Sequence, residues 1–219
     1  MTGGNLITVE ASGDARARDV RRGVWLEYAT VGWNVAEAVV SVGAGLAAGS
    51  VALVGFGIDS LVEVSSGAVL WWRLRAEARD AARREQVERR ALRLVGVCFL
   101  ALAAYVFYEA AAALARREEP EASAVGIAVA ALSLVVMPLL ARAKRRVAAR
   151  LGSRALEADS RQTDLCAYLS AILLGGLALN ALFGWWWADP AAALLMTPLI
   201  VKEGVGALRG ETCCGGECH

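Results

Sequence analysis

Between Gly49 and Trp72 the sequence stays apolar for the length of a bilayer crossing, yet it carries two acids, Asp59 and Glu63. A membrane helix needs about 20 mainly apolar residues. Backbone polar groups in lipid are satisfied only within a helix or a closed barrel. The two acids are four residues apart, so a helix sets them on one face, one turn from each other. A carboxylate at mid-membrane costs about 2.5–3.5 kcal/mol on insertion scales, and two on one face also repel. A segment keeps such a pair when something positive meets it: a cation, protons or a basic partner.

Five other apolar runs share this plan, so spans are expected at about 24–46, 50–72, 91–114, 122–141, 156–181 and 190–207. The chain is 57% hydrophobic with a mean hydropathy of +0.47, where about 45–50% is usual for a soluble domain. The expected fold is an all-α integral membrane protein, a six-transmembrane-helix bundle. Residues 1–22 read as a polar leader, poorly ordered before the first span, and 209–219 as a Cys-rich tail. No secretory signal peptide and no soluble domain after the sixth span are expected. Pro138 predicts a kink in the fourth span, of a kind membranes tolerate. Trp71, Trp72 and the run Phe183-Gly184-Trp185-Trp186-Trp187 read as interface anchors. Asp189-Pro190 reads as N-cap and first position of the sixth helix.

Charge sets the orientation. With an even number of spans both termini share a side, and that side holds 21 of the 23 basic residues, leaving Arg116 and Arg117 opposite. Both termini are therefore expected in the cytoplasm, in a multi-pass protein of the cell (inner) membrane. A net charge of +1 carries no nucleic-acid footprint. His219 is the sole histidine, which argues against enzymes that use a buried histidine base; no enzyme and no prosthetic group are expected.

The polar residues inside the spans fall on stripes. Asp59, Glu63 and Ser66 recur at i, i+4, i+7, with Gly55 and Gly57 leaving room for a neighbouring helix. An arginine or lysine partner from another span could explain the acids, but none is expected at mid-span. Asp159, Gln162, Cys166 and Ser170 form a second stripe at i, i+3, i+7, i+11. There Asp159 could instead cap or snorkel, and Cys166 could simply pack. Asp164 points about 140° away from Asp159. Asn34 and Glu37 could line an ion path, relay protons or hydrogen-bond between helices. Acids facing an amide and a thiol can cage a cation, with Zn²⁺ favoured and Mn²⁺, Fe²⁺, Co²⁺ or Cd²⁺ open. Cys213, Cys214, Cys218 and His219 could capture such an ion on the cytoplasmic side, or form an end without a role.

Gly49-Ser50-x-Ala52-Leu53 through Asp59-Ser60-Leu61-x-Glu63 resembles the second span of the cation diffusion facilitator (cation efflux) family. Ala158-Asp159-x-x-Gln162-x-x-x-Cys166-x-x-x-Ser170 resembles its fifth, and Ala188-Asp189-Pro190 through Lys202-Glu203-Gly204 its sixth. The likeness covers nearly all of residues 20–208, within a membrane domain taken as 23–208. Gln162 stands where the family has His, Cys166 where it has Asp, and Glu63 where it has Asp. The alternative register would set Thr163 and Ala167 at the two fifth-span places, a poor pair of ligands. The resemblance implies a divalent-cation/proton antiporter, usually a homodimer, that moves metal out of the cytoplasm through Asp59, Glu63, Gln162 and Cys166, with Asp159 beside them. A membrane-embedded metal sensor or modulator is the alternative.

Overall fold

The computed structural model of the chain describes the backbone over residues 4–75, 81–152 and 154–209, and side chains over most of 16–65, 93–152 and 156–209. The side chains of Ser66, Trp71 and Trp72, and the whole of Cys213, Cys214, Cys218 and His219, lie outside the described residues. Six helices follow in order: α1 (Gly4–Ala48), α2 (Val51–Arg75), α3 (Ala81–Arg116), α4 (Ala124–Leu151), α5 (Arg154–Phe183) and α6 (Ala188–Arg209). Among the described residues, stretches of α1, α3, α4, α5 and α6 are long and apolar enough to cross a membrane. Helix α2 has 25 residues, about 37 Å at the α-helical rise, against about 30 Å of hydrocarbon.

Burial is inverted relative to a water-soluble bundle. Trp25, Val39, Leu46, Phe107, Val135, Leu139, Leu182 and Leu195 are each more than half exposed, while Glu27, Asn34, Glu37, Asp59, Glu63, Lys144 and Asp189 are buried. Lipid around the outside resolves the first set; the second needs partners inside. Leu53, Phe56, Val106, Met137, Leu173, Met196 and Ile200 fill the apolar core.

Helix α2 packs against α1, α3, α5 and α6, and α4 against α1 and α5. The two glycines of α2 permit this, as their spacing suggests. A Cβ on Gly57 would stand 2.9 Å from the Val42 backbone nitrogen of α1, and one on Gly55 2.8 Å from a Val106 methyl of α3. Small residues let membrane helices approach to backbone contact.

Between α1 and α2 the chain reverses at Gly49, whose φ of 66° suits glycine. Ser50 then caps α2: its Oγ accepts from Leu53 N at 3.1 Å and donates to Asp189 Oδ1 at 2.5 Å. Asp189 Oδ2 also accepts from Ala52 N at 3.4 Å. This corrects the reading of Asp189 as the local cap of the sixth helix. It lies within the first turn of α6 and its carboxylate serves the start of α2, where the first N–H groups lack partners in their own helix and the dipole favours an anion.

Two other expectations change. Residues 4–22 are helical and continuous with the first span, not a separate loose leader; the stretch is Pro-free and rich in Ala and Arg. The fourth helix does not end at 141 but runs to Leu151, closed by Gly152 in the left-handed region. Pro138 lies within α4 without ending it. The aromatic run after α5 stacks on itself, with ring centroids of Trp185 and Trp187 5.2 Å apart.

Candidate metal centre

Asp59 and Glu63 of α2, Gln162 and Cys166 of α5, and Glu203 of α6 line one small cavity, about 20 Å³. Such a volume admits one water-sized sphere. Phe99, Leu165, Leu169, Leu199 and Ile200 complete the wall. The cavity thus joins hard carboxyl and amide oxygens to one soft sulfur inside an apolar shell. Asp59, Glu63 and Cys166 are nearly fully buried. Four of the five residues expected as ligands are therefore brought to one place. They do not form a closed cage: among the described residues, no three Cys, Asp, Glu or His side chains are grouped closely enough to hold an ion as they stand. Asp59 and Glu63 meet the cavity one turn apart, about 6 Å along α2, so they approach it at two levels.

Glu37 of α1 stands beside this cavity. Its Oε2 accepts from Ser60 Oγ at 3.1 Å and lies 4.0 Å from Cys166 Sγ, while its Oε1 is buried without a hydrogen-bond partner. Asn34 is buried one turn away, its Oδ1 likewise unpartnered. Ser170 is not on the cavity wall; its Oγ donates to the Cys166 carbonyl at 2.7 Å, a common helix back-bond.

Asp159 is not part of the cavity wall. Its Oδ2 accepts from Lys144 Nζ, and Lys144 also donates to Glu27 Oε2 at 3.4 Å. Asp159 and Cys166 share a face of α5, but seven residues separate them by about 10.5 Å along the axis. That depth brings Asp159 level with Lys144. Lys144 is completely buried, toward the end of α4 rather than at mid-span, and its ion pairs are with Glu27 and Asp159 rather than with the acids of α2. Asp164, on another face as expected, pairs with Arg145.

Two residues were missed from sequence. Lys144 continues the buried stripe Ala130, Ser133, Met137, Ala141 of α4 at helical spacing, a signal masked by the basic run that follows it. Glu203 sits three residues after buried Ile200, so its face of α6 could have been read from periodicity.

The sequence pattern of the cation efflux transmembrane domain matches residues 28–211. The chain belongs to the cation efflux family. Its similarity to individual proteins is distant. An uncharacterized transporter of Synechocystis sp. is 30% identical, over 78% of this chain and 61% of its own length. Transmembrane protein 163 of Xenopus laevis is 25% identical, over 86% of this chain and 66% of its own. A cation-efflux pump, FieF, of Shewanella oneidensis is 31% identical over 83 residues, 38% of this chain and 28% of its own. This cation efflux chain spans about two thirds or less of the length of these relatives. Within the family's transmembrane domain, α2, α5 and α6 supply the polar side chains of the cavity, and α3 adds Phe99.

Proposed function

We propose that this chain exports a divalent metal cation, with Zn²⁺ the best fit, from the cytoplasm in exchange for protons. It is a transporter rather than an enzyme, acting as a homodimer in the cell membrane with both termini in the cytoplasm. The observation that carries the reading is the meeting of Asp59 and Glu63 with Gln162 and Cys166 in one buried cavity. Carboxylates with a thiolate suit a borderline-soft ion such as Zn²⁺, and the amide completes the set without adding charge. Cysteine and carboxylate ligands bind metal deprotonated, so loading the ion expels protons and returning protons expel the ion. Rocking of the helices about a fixed mid-membrane site would then expose it to either side.

Zn²⁺ uptake into proteoliposomes with the cytoplasmic side outward tests this. Flux driven by an outward proton gradient is expected from the intact chain and lost in Asp59→Asn. Equal flux in both would refute the site. A second reading is favoured by the open arrangement of the ligands and by neutral Gln162: a membrane-embedded sensor or modulator that binds metal without moving it. Saturable Zn²⁺ binding that needs Asp59, with no flux in any gradient, would select it.

A further inference from the structure

Toward the end of the bundle where the basic residues gather lies a second buried charged group. Lys144 of α4 is held between Glu27 of α1 and Asp159 of α5. Its side chain is wholly buried and that of Glu27 is about nine-tenths buried. Two carboxyl groups face one ammonium, so with both ionised the group carries one negative charge in excess. The second oxygen of Glu27, Oε1, is buried and has no hydrogen-bond partner. An unbalanced carboxylate out of water is costly, and both features ask for more positive charge at this point.

The group is also placed to hand an ion onward. Along α5, Asp159 precedes Gln162 by about 4.5 Å and Cys166 by about 10.5 Å. Glu63, on the cavity wall, lies within electrostatic reach of both Asp159 and Lys144. Two carboxylates from different helices that already enclose a cationic nitrogen have the chemistry of a hard-cation site.

We propose that Glu27 and Asp159 form a second divalent-cation site on the way to the cavity, which Lys144 fills as a tethered stand-in and vacates for a passing ion. The proposal rests on the reading of the chain as a metal carrier. Lys144 keeps the carboxylates from trapping an ion between turnovers, and its displacement couples arrival of metal to loosening of α4 from α1 and α5.

The test counts Zn²⁺ per chain by elemental mass spectrometry on the purified full chain in detergent after gel filtration. Lys144→Gln is expected to hold one Zn²⁺ more than the intact chain, and Glu27→Gln with Lys144→Gln to lose that increment. Equal counts in Lys144→Gln and the intact chain overturn the proposal. The same comparison in an Asp59→Ala background separates the two readings. Failure of Asp59→Ala to lower the count sinks the cavity, whereas the increment from Lys144→Gln still decides this site. Should Lys144→Gln not fold, Asp159→Asn leaves Lys144 with Glu27 as a neutral pair. It is expected to raise the Zn²⁺ concentration for half-maximal flux several-fold with the count unchanged. An unaltered half-saturation, or a lowered count, would overturn the proposal.

Discussion

Ser50→Ala should destabilise the protein far more than loss of an ordinary helix cap. In the folded chain the Ser50 hydroxyl accepts from Leu53 N and donates to Asp189 Oδ1. Loss of an N-cap side chain costs about 1 kcal/mol. Removing a donor from a buried carboxylate adds about 1–3 kcal/mol. Asp189 is 1% exposed, so water cannot replace the lost donor, and the upper half of that range applies; Ala52 N, at 3.4 Å, is a weak substitute. The expected total is about 3–4 kcal/mol. Ser123→Ala is the control. It removes the cap of α4, a bond of 3.0 Å to Gly126 N, and should cost only about 1 kcal/mol. Reversible unfolding in mixed micelles, followed by circular dichroism against added denaturing detergent, measures both. Equal losses for the two variants would refute the argument that Asp189 depends on Ser50.

Other outcomes follow from the same geometry. Gly57→Leu drives a side chain into the Val42 backbone of α1 and should cost about 1–3 kcal/mol, seen as a lowered thermal midpoint, with Zn²⁺ flux reduced in parallel. Zn²⁺ affinity should weaken as pH falls, because every proposed ligand but Gln162 binds metal only in its deprotonated form; calorimetry in buffers of different ionisation enthalpy should show net proton release, and a pH-independent affinity would contradict the ligand set. Deleting residues 211–219 should lower apparent affinity without stopping flux, as expected of a capture arm; complete loss of flux would give the tail a larger role.

Hydropathy made the six helices legible, because apolar runs of membrane length leave the backbone few alternatives. The approach of α2 to α5 was legible too, since Asp59 with Glu63 and Gln162 with Cys166 each mark one face of a helix. Lys144 was not, since a lysine followed by two arginines reads as a solvated connector until α4 is seen to continue through it. Asp159 shares the face of α5 expected for it, but its choice between the cavity and the end of the span was not legible, because stripes give angle and not the level at which a neighbour offers its charge. Asp189 misled for a related reason. Its sequence neighbours suggest a local cap, whereas the groups it serves are 137 and 139 residues away.

The bond from Asp189 to the start of α2 makes a hinge pin of one end of the bundle. Helices α2 and α6 leave that pin together, so their far ends can diverge while their near ends stay fastened. A pivot of α2 about that fastening would carry Asp59, about 13 Å along the helix from Ser50, through a shorter arc than Glu63, about 19 Å along it.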